Sequence, residues 1–189
     1  MGERQAAQER RHAREFDAFV AGAGGRLLHA ATLLTGEPFG AAPAAERLLV
    51  ASLSRTYAAW ERLRGEDPYD RTRQDLAACF AHSGWRYRRP RGGLLDRLPP
   101  QERLVLVLRL YEGVAEEQTA AALGLPVERV RALCVRAAAT MRSQPPRGER
   151  AGTVASGGGA GGGGAGGVPG RRETAGSGAS GARSAEGVR

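Results

Sequence analysis

The stretch that decides the fold of this chain is EEQTAAALGLPVERVRALCVR, residues 116–136. EEQTAAALG predicts a short helix, GLP a tight turn, and VERVRALCVR a second helix that runs on to Met141. At about 100° per residue, one face of the second helix should pack on partner helices. That face carries Val130, Leu133, Cys134, Ala137 and Met141. The hairpin either reads DNA or only packs.

The opposite face of this second helix has the chemistry of a DNA reader. Arginine can contact guanine with two hydrogen bonds and glutamate can accept one from cytosine, so Arg129, Arg136 and Glu128 are candidate base readers. Arg131 and Arg142 lie on a flank, where contacts with phosphates position a helix without reading sequence. If this were a single helix, simple exposure to solvent would be enough to explain its arginines. The preceding helix, the glycine turn and the basic face together favour DNA.

Helical spacing continues on both sides of this stretch, and nothing alternates as a strand would. Upstream, LLDRLPPQERLVLVLRLYEG (residues 94–113) predicts one more helix of the same unit. Before it, three helices are predicted: one interrupted at Gly24-Gly25, one that starts at Pro43, and one capped by Asp67. We therefore predict an all-α protein of two small helical units. The expected segments are a three-helix bundle at 14–89, a short linker at 90–94, a helix-turn-helix at 95–142, and a disordered tail at 143–189.

The composition supports a polyanionic partner and argues against an enzyme. All 28 basic residues are arginines and the net charge is +8, although a GC-rich coding sequence would contribute to the arginine excess. The tail holds 15 of the 28 glycines in residues 151–189 and has little to bury. Cys79 and Cys134 stand alone and the histidines are scattered, so we expect no metal, cofactor, catalytic set or small-molecule substrate. With no leader-like or membrane-spanning run, a soluble cytoplasmic protein is expected.

LDRLPPQERLVLVLRLYEGVAEEQTAAALGLPVERVRALCVRAAATMR, residues 95–142, resembles region 4 of extracytoplasmic-function (ECF) sigma factors of the sigma-70 family. The actinobacterial SigE-like branch is the nearest match. The shared order is LPP with a following arginine, a VLVLR-YE helix, E-TA--LG, and a V--V recognition helix. The resemblance implies contact with the promoter −35 element by Glu128, Arg129, Arg131, Ala132, Arg136 and Arg142.

A weaker resemblance to region 2 of the same family extends upstream. DPYDRTRQDLAACFAHSGWRYRR, residues 67–89, looks like the helix that faces the −10 element. Aromatic rings can stack on unpaired bases while arginines follow the phosphates, so the expected contacts are Trp85, Arg86, Tyr87, Arg88 and Arg89. For Trp60 a place in the core is preferred.

AERLLVASLSRTYAAW, residues 45–60, looks like the region 2 helix that docks on the core polymerase. The contacts implied are Glu46, Arg47, Leu49 and Val50. Where the family reads DLVQE, however, this chain has Arg47, Val50 and Ala51, and loss of a charged interface contact typically costs about 2–5 kcal/mol. The segment Pro90–Leu98 is also short, since it spans only about 30 Å when extended.

The resemblance therefore implies an ECF-type sigma factor that binds core RNA polymerase and promoter DNA and is not itself an enzyme. It also allows an anti-sigma factor as a regulatory partner. The alternative is a degenerate sigma-like protein that binds DNA or a regulator without recruiting polymerase productively. The altered residues and the short linker motivate that alternative.

Overall fold

The described part of the chain is all helical, which confirms the predicted fold class. A computed structural model of the chain describes residues 2–63 and 65–143, and the predicted disordered tail lies outside them apart from Ser143. The α-helices are α1 (Gly2–Thr35), α2 (Pro43–Ala59), α3 (Pro68–Ser83), α4 (Pro100–Leu106), α5 (Glu116–Leu123) and α6 (Val127–Arg142). Short 3-10 turns at Trp60–Arg62 and Gly84–Tyr87 follow α2 and α3, and α4 continues as a π-helical turn over Val107–Tyr111.

Helix α1 is continuous, so the predicted interruption at Gly24-Gly25 is wrong. Each glycine costs a helix only about 1 kcal/mol relative to alanine. The turns that follow bury Leu27, Ala31 and Leu34 almost completely, and this packing outweighs the cost. The helix ends where Gly36 adopts a left-handed φ of 69°.

The predicted starts of α2 and α3 are confirmed, with different caps. At α3, the Asp67 carboxylate accepts a hydrogen bond from the Tyr69 backbone N–H at 2.9 Å, and Pro68 is the first helical residue. At α2, Pro43 is first, but the residue before it has no side-chain acceptor. The Glu37 carboxylate serves instead, and accepts from the backbone N–H groups of Ala44 and Ala45 at 3.0 and 2.9 Å.

Helices from both predicted units share one hydrophobic core. Leu27, Leu76 and Phe80 from α1 and α3 belong to the same buried cluster as Leu104 and Ala137 from α4 and α6. The helices accordingly form one compact unit. The division into segments 14–89, 90–94 and 95–142 stays a prediction. Within the described residues no helix combines the length and apolarity that crossing a membrane requires.

Arg103 of α4 lies at the centre of the junction between the early helices, α1 to α3, and the late helices, α4 to α6. Its side chain is fully buried, and its guanidinium donates hydrogen bonds to four backbone carbonyls. The acceptors are Leu34 at 2.7 Å, Leu98 at 3.0 Å, and Tyr87 and Asp96 at 3.3 Å each. Burial lowers the pKa of Arg103 to about 10, so the group stays charged at neutral pH. The end of α1, the turn after α3 and the segment before α4 therefore converge on one cation.

The predicted linker is fastened to the end of α1. The Gly93 backbone N–H donates to the Gly36 carbonyl at 2.9 Å, and Arg91 pairs with Glu37 at 3.4 Å. A Cβ on Gly93 would lie 2.3 Å from the Glu37 carbonyl oxygen, closer than a side chain tolerates. Residues 91–93 thus lie against the turn between α1 and α2.

A second polar contact joins the early helices to the π-helical turn that follows α4. The carboxylate of Glu112 is buried and accepts hydrogen bonds from the Tyr69 hydroxyl at 2.9 and 3.1 Å. Arg26 of α1 lies 3.5 Å from the same carboxylate and 5.2 Å from the centre of the Tyr69 ring. Burial and the bond to Glu112 raise the pKa of Tyr69 above its ordinary value.

Candidate nucleic-acid interface

Helices α5 and α6 form the predicted helix-turn-helix. Gly124 ends α5 with a left-handed φ of 63°, a conformation that glycine adopts without a steric penalty. The Leu125 backbone N–H donates to the Ala120 carbonyl at 3.0 Å and closes the turn. Pro126 then precedes the first residue of α6, Val127. The short turn therefore joins α5 directly to α6, as in a helix-turn-helix.

The predicted inward face of α6 is confirmed. Val130, Leu133 and Ala137 are fully or almost fully buried against α4 and α5. Cys134 and Met141 are half-buried beside them, and burial raises the pKa of the Cys134 thiol. This face provides the packing surface that fixes the orientation of α6.

The predicted DNA-reading residues of α6 all lie on its solvent-exposed side. They are Glu128, Arg129, Arg131, Ala132, Arg136 and Arg142. The structure adds Val135, whose side chain is 60% exposed on the same side, a residue that the sequence reasoning did not select. The sequence could have indicated Val135, because it follows Glu128 by seven residues and residues i and i+7 share a helix face.

Two of the α6 arginines are held by carboxylates of neighbouring helices. Arg131 donates to Glu116 of α5 at 2.8 Å, which raises the pKa of Arg131. Arg136 donates through Nε to Glu102 of α4 at 3.1 Å. Both arginines remain more than half exposed, so these pairs are weak enough to exchange for phosphate or base contacts. Within the described residues Arg129 and Arg142 have no ion-pair partner.

The predicted −10 contacts divide between the surface and the core. Trp85 is 65% exposed, with the guanidinium of Arg86 over its ring at 5.1 Å, and Arg88 and Arg89 are exposed. Tyr87, in contrast, is only 8% exposed and stacks on Phe80 with ring centres 5.3 Å apart. The expectation that Tyr87 stacks on bases is therefore corrected, because its ring is already packed in the core.

A cleft of about 710 Å³ lies beside Trp85. Its walls come from the turn after α3, the start of α4, and the end of α5 with its turn. Its apolar lining includes Phe80, Leu98, Leu104, Leu123 and Leu125, and two arginines, Arg88 and Arg97, also line it. Trp85 and the helix-turn-helix thus border one cavity.

The predicted polymerase-contact residues on α2 are only partly accessible. Glu46 and Arg47 are exposed and Val50 is 61% exposed, so these three can contact a partner. Leu49 is 8% exposed and belongs to the hydrophobic core, so its assignment as a contact is corrected. Tyr57, which is 49% exposed two turns later, extends the same surface and was not selected from the sequence.

No group of three or more His, Cys, Asp or Glu side chains within residues 2–63 and 65–143 could hold a metal ion. The exposed side chains of α6 and of the turn after α3 include arginines, Glu128 and Trp85. Such groups bind and position a polyanion.

Comparison with known proteins agrees with this geometry. Residues 94–143 match the family Sigma-70, region 4. The chain is also 27% identical over 155 residues to the RNA polymerase sigma-E factor of Streptomyces coelicolor. That alignment covers 69% of this chain and 85% of the Streptomyces protein. No solved structure matches the chain significantly. The matches confirm the predicted resemblance to sigma factors of the sigma-70 family.

Proposed function

We propose that this sigma-70 family protein, which is of the ECF type and similar to sigma-E, binds core RNA polymerase and directs it to promoter DNA. A sigma-factor role follows from the two matches. The finer assignments concern which promoter elements and which polymerase surface are contacted. A location in the cytoplasm is likewise part of the proposal. An anti-sigma partner stays an expectation of the resemblance alone.

The observation that carries the −35 assignment is the two-sided character of α6. One side is buried on α4 and α5, while the other presents four arginines and Glu128 to solvent. A helix about 10–12 Å across fits the major groove, which is about 12 Å wide. In that groove Arg136 and Arg129 can reach guanine, and Arg131 and Arg142 can reach phosphates.

The −10 assignment is supported by Trp85 and the arginines next to it. An exposed indole can stack on an unpaired base, and nearby guanidinium groups can follow the strand's phosphates. Arg86, Arg88 and Arg89 supply those groups. Because Tyr87 is packed in the core, Trp85 alone among the predicted aromatic contacts provides a stacking surface.

Core polymerase would be contacted through Glu46, Arg47 and Val50 on the outer side of α2. This surface carries an apolar residue and one charge of each sign, and differs from the acidic and amide pattern of the family. That difference also favours the second candidate function, a sigma-like protein that binds DNA or a regulator without productive recruitment. The two candidates differ in one measurable property, the affinity for core polymerase.

Co-purification of the full chain with actinobacterial core polymerase at low salt tests the proposal. A stable complex that initiates at a mapped promoter is the expected result. Replacing Val50 with Glu should weaken the complex, whereas the matched change Val135→Glu on α6 should leave core binding intact. Folded protein that fails to bind core polymerase would contradict the proposal and favour the second candidate.

A further inference from the structure

Val135 is a large apolar side chain on the most outward line of α6. It shares that line with Glu128, Ala132 and Ala139, which follow the spacing i, i+4, i+7 and i+11 of one helix face. The line lies opposite the buried residues Val130 and Ala137. An exposure of 60% leaves most of the valine surface in water.

The arginines of α6 lie on both sides of this line. Arg131 and Arg142 occupy one flank, and Arg129 and Arg136 occupy the other. In a helix that enters the major groove, the central line faces the base edges, and long arginine side chains on the flanks can reach either neighbouring base edges or the phosphates. The neighbours of Val135 on that line at i−3 and i+4 are Ala132 and Ala139, whose short side chains do not block its approach.

We propose that Val135 is a specificity residue that recognises thymine through the C5 methyl group. This inference rests on the proposed function, because it requires α6 to enter the major groove of promoter DNA. Thymine presents its methyl group in that groove, and apolar side chains are the groups that contact it. A valine held at the centre of the outward face therefore favours a T·A pair over a C·G pair.

Replacing thymine by deoxyuridine removes only the methyl group, and provides a direct test. DNA duplexes are first recovered from a random-sequence library, both with the full chain alone and with holoenzyme reconstituted from the full chain and core polymerase. Each thymine of the element bound by α6 is then replaced in turn by deoxyuridine, and the dissociation constant is measured. For one thymine, the replacement should weaken wild-type binding about fourfold, as expected for loss of one buried methyl-sized group.

The Val135→Ala variant should bind the thymine and deoxyuridine duplexes equally. Alanine has a higher helix propensity than valine, so the variant should fold, as circular dichroism can verify. Leu110→Ala, which truncates an exposed apolar residue outside α6, is the matched control and should keep the fourfold ratio.

Three outcomes would overturn the inference. Binding could be insensitive to every thymine replacement, Val135→Ala could keep the wild-type ratio, or the recovered element could lack thymine. Each of these leaves DNA binding, and thus the proposed function, intact. Failure of both selections to recover any duplex would overturn the proposed function together with the inference.

Discussion

Replacement of Arg103 by methionine should be severely destabilising. Methionine keeps an unbranched apolar stem but removes the guanidinium, so the buried carbonyls of Leu34, Tyr87, Asp96 and Leu98 lose their donor. A hydrogen bond to a charged group typically contributes about 1.5–3 kcal/mol to stability. Each unsatisfied buried carbonyl costs about 1–3 kcal/mol, but relaxation and water entry keep the four from adding fully. We expect the free energy of unfolding to fall by about 3–5 kcal/mol.

Urea unfolding followed by circular dichroism measures this change directly. Arg97→Met is the matched control, because Arg97 is exposed and has no ion-pair partner within the described residues. That control should change the free energy of unfolding by no more than about 0.5 kcal/mol. If Arg103→Met unfolded at the same urea concentration as the Arg97 variant, with the same m-value, the role assigned to the buried guanidinium would be refuted.

Three further predictions each compare two single-residue variants. Gly93→Ala should destabilise the protein, because the added Cβ would lie 2.3 Å from the Glu37 carbonyl oxygen. Gly25→Ala should stabilise it by about 1 kcal/mol, because a Cβ there meets nothing within 4 Å and alanine favours a helix. Thermal unfolding of both variants checks this prediction, and equal shifts in melting temperature would contradict it. Trp85→Ala should weaken binding of a single-stranded oligonucleotide by about 1–3 kcal/mol with little change in stability. Tyr87→Ala should instead lower the free energy of unfolding by about 3–5 kcal/mol. Oligonucleotide titration and urea unfolding separate the two effects, and a Tyr87 variant of unchanged stability would contradict the buried position of its ring. Arg136→Ala should weaken DNA binding by about 1–3 kcal/mol and relax the preference at one base pair, while Arg131→Ala should reduce by about 1 the slope of the logarithm of the binding constant against the logarithm of salt concentration. Footprints and salt titrations on the recovered duplex distinguish these two effects. An unchanged base preference in the Arg136 variant would show that Arg136 contacts only the DNA backbone.

Local signals in the sequence predicted the starts of α2 and α3 and the turn between α5 and α6. Pro43, Asp67 and Pro68 each act within one turn of their own position, so the starts of α2 and α3 could be read without knowledge of the fold. The end of α5 at Gly124 could be predicted in the same way, because glycine by itself favours the left-handed conformation that ends a helix. The inward face of α6 followed from its apolar spacing.

The features that the sequence did not predict depend on contacts distant along the chain. Leu49 and Tyr87 carry residue types that suit an interface, and only the surrounding helices place them in the core. The burial of Arg103 is similar, because its acceptors come from segments up to 69 residues away. The Gly24-Gly25 pair was overestimated as a break, since the packing of the following turns is not visible in local propensity.

The arrangement around Arg103 has a consequence for any separation of the early helices from α4, α5 and α6. All four carbonyls are bound by one planar group, so a small displacement of α4 loosens several hydrogen bonds at once. A partly separated state would hold a charged group away from both its partners and bulk water, at a high free-energy cost. Separation should therefore be cooperative, and its kinetics should show a single barrier at which one buried cation becomes hydrated.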